Sequence, residues 1–491
     1  MEFQAPSINF IAVLPVLIVV GWATILMLVD LFIPQAKKQR TAWLSLVGIV
    51  PAFVATLALW NQNLGAFQPQ GGRPMLLADN YSTFLNAIFL LTAFFTVLIS
   101  VNYLGKAGIE RGEYYYLMLF SVSGMMLMGM ANDLILVFLA LELLSIPLYV
   151  LSGFARPRLD SEESAMKYFL LGAFSSGFLV FGIALLYGAT GSTALPAVLA
   201  GLRANPGPLA TAGVALALVG FAFKVAAVPF HAWTPDVYQG APTAVTAFMS
   251  VGAKVGGFAA MLRVFVGSLP TLGETWVPAV AVIAALTMIL GNVVALVQPN
   301  IKRMLAYSSI AHAGYIMIGV AAALRSPDGV SAALFYMLAY LFTNLGAFAI
   351  VIMVERQEGL GVLLDDYRGL ARRSPALALA LAYFMLSLTG VPPTGGFSGK
   401  FFLFRASIEA DLTWLAIVGA VTSVISGYFY LRVVYLAYMV EGQGEIKATR
   451  ALNLAVALTT AATLLLGLFP GPWFDLARQA IFSGVQLAAG G

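Results

Sequence analysis

The sequence predicts an all-α protein that crosses a membrane many times. Hydrophobic residues make up 60% of the 491 residues and only 10% are charged, and the mean hydropathy is +0.91. Apolar runs of about 20 residues, long enough for a helix to cross a bilayer, recur along nearly the whole chain. Inside lipid every backbone polar group must bond within its own segment, so these runs are expected to form helices.

The apolar runs define about fourteen membrane-spanning segments. The loops between them are short, so we expect one membrane domain, 1–491, without a soluble appendage. The first segment follows Glu2 and has no small-residue cleavage site after it, which favours a retained helix over a signal peptide. The predicted segments are 10–33, 41–60, 80–102, 114–130, 134–154, 167–188, 209–230, 242–266, 276–297, 303–323, 330–354, 376–402, 412–439 and 451–469.

Lysine and arginine are distributed unequally between the two sets of loops. Sixteen follow odd-numbered segments and six follow even-numbered ones. Basic residues mark the cytoplasmic side, so both termini are expected on the opposite side. The first set is Lys37, Lys38, Arg40, Lys106, Arg111, Arg156, Arg158, Lys167, Lys302, Arg303, Arg356, Arg368, Arg372, Arg373, Lys447 and Arg450, and the second is Arg73, Arg203, Arg263, Arg325, Arg405 and Arg478.

Two of the predicted segments contain residues that interrupt a helix. In the seventh, Gly220-Phe-Ala-Phe-Lys224 precedes Pro229, and the twelfth contains Gly390-Val-Pro-Pro-Thr-Gly-Gly-Phe-Ser-Gly-Lys400. Proline removes a helix hydrogen bond and glycine loosens the backbone. Both stretches share Gly-Phe-x-x-Lys and lie five segments apart. An odd offset inverts topology, so we predict inverted five-helix repeats of segments 4–8 and 9–13 with broken helices 7 and 12. The corresponding parts are 1–113, 114–266, 276–439 and 451–491.

Several classes of site are excluded or unsupported by the composition. The chain has no cysteine, so it cannot hold thiolate-ligated iron–sulfur clusters or disulfides. Its net charge of +4 is too small and too dispersed to suggest nucleic-acid binding. The sequence contains neither a phosphate-binding loop, nor a dinucleotide fingerprint, nor a metal-spaced His/Glu pair.

Four charged residues lie inside apolar segments: Glu142, Lys224, Lys254 and Lys400. A charge near the middle of a bilayer costs at least a few kcal/mol, which favours a functional role for each. The lysines could instead extend to an interface, but Lys224 and Lys254 are far from either surface. Glu142 could belong to a structural ion pair. A carboxylate favours the charged form of a nearby lysine whereas burial disfavours it, and these opposed effects suit a group that loads and releases protons.

His312, inside the tenth segment, is one of two histidines and titrates nearest to neutrality, which suits a proton relay. A packing role is its alternative. Asp133 directly precedes the fifth segment and is expected to cap a helix. Lys167 could be either an interface anchor or part of a cytoplasmic gate.

The motifs together resemble the antiporter-like membrane subunits of respiratory complex I. The resemblance rests on Leu139-Ala-Leu-Glu142, Phe223-Lys224-Val-Ala-Ala-Val-Pro-Phe-His-Ala-Trp-Thr-Pro-Asp236, Lys254, Tyr307-Ser-Ser-Ile-Ala-His312-Ala-Gly-Tyr and the glycine- and proline-rich stretch before Lys400. A lysine in the twelfth segment favours the N-type subunits over the M-type, which typically have glutamate there. The chain continues only briefly after the fourteenth segment, which separates it from the L-type with its long lateral helix.

The resemblance implies a proton-translocating subunit of an NADH:quinone oxidoreductase, driven by quinone reduction in partner subunits. It assigns Glu142 and Lys224 as a coupled pair, Lys254 and His312 as a central relay, and Lys400 as the exit-side site. It implies no cofactor in this chain, and FMN, iron–sulfur clusters and quinone in partner subunits. The expected partners are other membrane subunits and the lipid bilayer, and the expected location is a bacterial inner membrane or, alternatively, a thylakoid membrane.

Three alternatives remain open at this point. The chain could belong to a multisubunit cation/proton antiporter, although a buried row made mostly of lysine is a poor sodium site because sodium prefers oxygen ligands. It could belong to the ferredoxin-dependent photosynthetic relative of complex I. It could also be a structural subunit, which would leave the buried charges without a purpose.

Overall fold

A computed structural model describes residues 6–69, 72–356, 360–442, 446 and 448–482. Within these residues the chain is almost entirely helical, and the all-α class is confirmed. Glu2 and Lys447, which entered the predictions of topology, lie outside the described residues, as do the two ends of the predicted domain.

The described residues form twenty α-helices, and β1 and β2 pair as an antiparallel hairpin. A π-helical turn, Leu262–Val266, extends α11, so that Arg263 lies inside a helix rather than in a loop. The elements are α1 (Phe10–Asp30), α2 (Gln39–Ala58), β1 (Leu64–Ala66), β2 (Leu76–Ala78), α3 (Asn80–Ser100), α4 (Tyr103–Lys106), α5 (Glu113–Met130), α6 (Leu134–Ser152), α7 (Leu159–Thr190), α8 (Leu195–Ala204), α9 (Pro208–Lys224), α10 (Trp233–Gly240), α11 (Thr243–Met261), α12 (Gly273–Ala295), α13 (Ile301–Ala322), α14 (Gly329–Val354), α15 (Leu370–Arg373), α16 (Pro375–Thr389), α17 (Gly395–Glu409), α18 (Thr413–Met439), α19 (Arg450–Leu468) and α20 (Pro470–Gln479).

Eleven of the helices in the described chain are long and apolar enough to cross a membrane: α1, α2, α3, α6, α7, α11, α12, α13, α14, α18 and α19. The fourth, seventh and twelfth predicted segments contain helices outside that set: α5, α9, and α16 with α17. Every predicted segment therefore contains a helix, whereas the number of crossings and the inverted repeat stay predictions.

The helices differ in how much of their surface is covered by the rest of the protein. α11 is buried along its whole length and α13 and α14 nearly so, whereas α1, α2, α7, α18 and α19 expose apolar side chains such as Phe10, Phe174 and Val424. Large exposed apolar faces of this kind suit contact with lipid or with another membrane subunit. Lys254 on α11 and His312 on α13 are consequently enclosed by protein.

Both predicted helix breaks are present. α9 ends at Lys224 and the chain becomes helical again only at Trp233. α16 ends at Thr389, where Gly390 adopts φ 90°, a conformation that favours glycine, and the side chain of Thr394 then caps α17. The lysines differ in position, because Lys224 is the last residue before its break and Lys400 follows its break. The shared Gly-Phe-x-x-Lys motif therefore lies before the break in the seventh segment and after the break in the twelfth.

Candidate functional site

Lys224 is buried where α9 meets α6 and α7. Its ammonium donates to Ser145 Oγ at 2.8 Å and to Tyr168 OH at 3.1 Å, and the residue is 3% exposed. Lys224 also lies in the last turn of its own helix, where the helix dipole favours positive charge. The ammonium of Lys224 is therefore hydrogen-bonded inside the protein and does not reach an interface with water.

Glu142 lies on α6, one turn before Ser145, and its side chain is partly exposed. Ser176 Oγ on α7 donates to Glu142 Oε1 at 2.5 Å. Within the described part of the chain Glu142 forms no ion pair, so the predicted pair with Lys224 is not in direct contact. Hydroxyl groups of α6 and α7 separate the two charges instead.

A small cavity of about 10 Å³ lies between these groups, lined by Ser145, Tyr149, Ser176 and Lys224 among others. A polar cavity needs roughly 10–15 Å³ to hold one water molecule. The cavity is thus about the size needed for one water molecule. Such a water could connect Ser176, which is bonded to Glu142, with the ammonium of Lys224.

Lys254 occupies the middle of α11, the most enclosed helix. Its ammonium donates to the carbonyl oxygen and to the hydroxyl of Ser309 on α13, the latter at 2.5 Å. It has no carboxylate partner among the described residues. A lysine that is 2% exposed and bonded only to neutral groups can be discharged without leaving a carboxylate unpaired.

His312 lies one turn further along α13, between two tyrosines. Nδ1 is 2.6 Å from Tyr336 OH on α14, and Nε2 is 3.2 Å from Tyr430 OH on α18. Tyr430 OH in turn bonds Ser308, the neighbour of the serine that holds Lys254. Each ring nitrogen therefore faces a hydroxyl group that can both donate and accept a proton.

Lys400 is held at the break between α16 and α17. Its ammonium donates to the carbonyl oxygens of Leu388 at 3.0 Å and Thr389 at 2.9 Å, and to Ser423 Oγ at 2.8 Å. The two carbonyl groups belong to the last turn of α16, whose dipole favours a cation. The helix break thus supplies the oxygen atoms that solvate this buried charge.

Tyr315 on α13 connects Lys400 to the histidine. Its ring centroid is 4.4 Å from Lys400 Nζ and 5.7 Å from the ring of His312, and its hydroxyl accepts from Ser423 Oγ at 3.2 Å. The structure therefore places Lys254, His312 and Lys400 in one region lined with hydroxyl groups, in which a ring contact with Tyr315, and not a hydrogen bond, lies between His312 and Lys400. The hydrogen bonds of the described residues do not join Lys224 to Lys254.

Lys167 lies in a separate, half-exposed cluster. Its ammonium is 2.6 Å from Asp236 Oδ2 on α10 and 2.6 Å from Glu163 Oε1, and Arg303 Nη1 on α13 is 2.7 Å from Asp236 Oδ1. Burial raises the pKa of Asp236, but hydrogen bonds from Lys167 and Arg303 outweigh it and hold that pKa below its usual value. Lys167 thus ties α7 to α10, the helix that follows the break after Lys224.

The sequence alone did not identify the hydroxyl groups that bind the charged residues. Ser145 follows Glu142 by one helical turn, and Ser308, Ser309 and Tyr315 lie within a turn or so of His312, so helical spacing could have singled them out. Ser176, Tyr336, Tyr430 and Ser423 come from other helices and carry no such local signal. Asp133 caps α6 by accepting from Ile135 N at 2.9 Å, as predicted. The described residues contain no cluster of three or more His, Asp or Glu side chains that could hold a metal ion.

Residues 131–426 match the family described as NADH:quinone oxidoreductase/Mrp antiporter. The chain is 49% identical over 485 residues to NADH-quinone oxidoreductase subunit N of Chloroflexus aggregans, covering 97% of this chain and 98% of that one. It belongs to the subunit N family of NADH-quinone oxidoreductases. The subunit N of Trichlorobacter lovleyi is 46% identical, with 98% of both chains covered.

Solved structures agree with this membership of the subunit N family. A chain of respiratory complex I from Thermus thermophilus is 35% identical and superposes with a TM-score of 0.80, covering 94% of this chain and 99% of that one. A chain of the Mrp complex from Dietzia sp. has a TM-score of 0.82 at 22% identity, covering 97% of this chain and 100% of the other, and shows the shared fold alone. All five predicted site residues lie within the matched region, 131–426.

Proposed function

We propose that this chain translocates protons across a membrane as an antiporter-like subunit of an NADH:quinone oxidoreductase. The observation that carries the proposal is the buried row Lys254, His312 and Lys400, whose members are held by hydroxyl and carbonyl groups and are linked through tyrosines. A structural ion-pair network would pair the lysines with carboxylates. A row of exchangeable proton carriers suits transfer instead.

The hydrogen bonds along the row supply parts of a route for protons. Lys254 is bonded to Ser309, and the adjacent Ser308 is bonded through Tyr430 to one nitrogen of His312, whose other nitrogen faces Tyr336. Within the described chain no hydrogen bond joins Ser309 to Ser308, so that step needs a side-chain rotation or a water molecule. Tyr315 and Ser423 then connect this region to Lys400. Each hydroxyl accepts one proton as it gives up another, so no charge needs to remain on a serine or tyrosine.

The Glu142 and Lys224 region couples the row to events outside the chain. Glu142 is partly exposed on this chain, so a neighbouring membrane subunit can change its charge. A nearby carboxylate stabilises the ammonium of Lys224, and each 1.36 kcal/mol of lost stabilisation changes its proton-binding constant about tenfold. Neutralising Glu142 would therefore release the Lys224 proton toward the row.

The energy for pumping comes, on this proposal, from quinone reduction in partner subunits. Those subunits would carry FMN, the iron–sulfur clusters and the quinone site, and NADH would be the electron donor. The chain would lie in a bacterial inner membrane beside other antiporter-like and small membrane subunits, with its basic loops facing the cytoplasm.

Substitution of Lys224 or Glu142 by alanine tests this proposal in the assembled complex. We expect Lys224→Ala and Glu142→Ala to reduce proton pumping and the coupled quinone reduction while leaving assembly intact, because the coupling charges are lost. Glu113→Ala, which removes a carboxylate at the start of α5, is the matched control. Full activity of an assembled Lys224→Ala complex would refute the proposal.

A second candidate is cation/proton antiport, favoured by the matching family, which is described as covering the Mrp antiporter as well. The buried row argues against it because ammonium groups cannot ligate sodium. The discriminating measurement is sodium-dependent proton movement by this chain in liposomes without any redox partner. Exchange under those conditions would place antiport ahead of redox-driven pumping.

A further inference from the structure

A buried carboxyl group that the proposed mechanism does not use lies at the basic end of the molecule. Glu355 directly follows α14, is 3% exposed, and is adjacent to the exposed Arg356. Tyr103 OH donates to Glu355 Oε1 at 3.3 Å, whereas Oε2 is buried and has no hydrogen-bond partner among the residues that the structure describes. Buried polar atoms are normally satisfied, so we infer a water molecule bound to this oxygen.

Basic groups lie around Glu355. Lys106 donates to the main-chain oxygen of Glu355, and the buried Lys302 on α13 donates to Ala241 O at 2.7 Å. The charge of Arg158 and the phenol of Tyr367 also lie within electrostatic range. Together with Tyr103, these groups form a largely buried acid–base cluster with Arg158 partly exposed, which we call the Glu355 cluster.

The Glu355 cluster is joined to the helix that carries Lys254. Tyr103 OH accepts from Thr243 N, the first residue of α11, at 2.9 Å. Lys254 lies three turns further along α11, about 16 Å away, on nearly the same face because a helix turns about 100° per residue. The face of α11 that begins at the Glu355 cluster therefore leads to the central lysine.

A second buried oxygen without a hydrogen-bond partner in the described chain lies closer to Lys254, between the same two helices. Asn344 Nδ2 on α14 donates to Ser250 Oγ at 2.5 Å, and Ser250 is one turn before Lys254. Asn344 Oδ1 is buried and lacks a partner within the described chain. Asn344 and Glu355 are three turns apart on nearly the same face of α14, which packs against α11.

We propose that Glu355 takes up protons at the basic, cytoplasmic end and that water between α11 and α14 carries them past Ser250 and Asn344 to Lys254. A proton binds Glu355 Oε2, leaves it for the first water, and the last water protonates the neutral amine of Lys254. Glu355 returns to the carboxylate and no other reactant is needed. Glu355 Oε2 and Asn344 Oδ1 are the expected binding sites of the water molecules at the two ends of this chain of waters. This inference rests on the proposed function and names its uptake route.

The test is Glu355→Gln in the full complex, because glutamine keeps the shape and the acceptor for Tyr103 but cannot bind a proton. We expect proton pumping to fall about tenfold or more, as when a positioned acid–base group is removed. Glu409→Gln is the matched control: that carboxylate also accepts from a hydroxyl, Ser326 Oγ at 2.8 Å, but lies at the opposite end of the fold. An infrared carboxyl band that appears on turnover should be absent from Glu355→Gln alone.

Pumping at the wild-type rate in Glu355→Gln, with the infrared band retained, would overturn the inference. If Lys254→Met were inactive in that case, the proposed function would stand without this route. Should Glu355→Gln fail to assemble, Asn344→Leu provides the test, since it removes no charge and only closes the water path. Wild-type pumping in Asn344→Leu would likewise overturn the inference.

Discussion

The hydrogen bond from Ser176 to Glu142 stabilises the coupling carboxylate. A hydrogen bond to a charged group contributes about 1.5–3 kcal/mol, and the lower value applies here because both side chains are partly exposed. Ser176→Ala is therefore expected to remove about 1.5 kcal/mol of the stabilisation of this carboxylate. Ser176→Ala should therefore weaken the stabilisation of the Lys224 ammonium by Glu142, while both charged residues remain in place.

The assay is NADH-driven proton pumping of the purified complex in proteoliposomes. We expect Ser176→Ala to pump at a rate between those of the wild type and Glu142→Ala, and Ser176→Thr, which keeps the hydroxyl, to recover most of the loss. Ser152→Ala is the control, since that hydroxyl on α6 donates only to main-chain oxygens of its own helix. Wild-type pumping by Ser176→Ala would refute the reasoning, as would equal loss in the Ser152→Ala complex.

Two further substitutions test the row itself. Tyr336→Phe removes the hydroxyl 2.6 Å from His312 Nδ1, so pumping should slow while assembly is unaffected; an unchanged rate would remove Tyr336 from the route. Gly390→Ala adds a Cβ that would lie 2.9 Å from Lys400 Cδ at a residue with φ 90°. The backbone strain alone is about 1–2 kcal/mol. We expect a lower melting temperature and weakened pumping, measured together, and a neutral result in both would contradict the geometry described for Lys400.

The buried charges could be predicted from the sequence because a charged residue is easily recognised within a run of apolar residues. Lys254 and His312 needed no tertiary information, and the prolines before Lys400 predicted the break that supplies its carbonyl ligands. The hydrogen-bond partners of these residues could not be predicted from the sequence. Tyr430, for example, approaches His312 only through the packing of α18 against the central helices. Glu355 looked like an ordinary loop residue, and its burial depends on how the short helix α4 covers the end of α14.

The spacing between Glu142 and Lys224, which the resemblance assigns as a coupled pair, is the instructive feature. Serine and tyrosine hydroxyl groups bind the two charges, which are not in direct contact. Such a spacing depends on the rotation of α6 and α7 about their axes, and apolar faces on both helices leave that rotation undetermined in the sequence.

The most direct test of the account is the proton-to-electron ratio of the complex carrying Lys254→Met, which replaces the central amine by an apolar side chain of similar size. We predict that proton pumping and coupled quinone reduction both fall about tenfold or more, since the row loses its first proton carrier. Reduction of an artificial acceptor by the peripheral subunits should be unchanged. A wild-type proton-to-electron ratio at a wild-type rate would contradict the account.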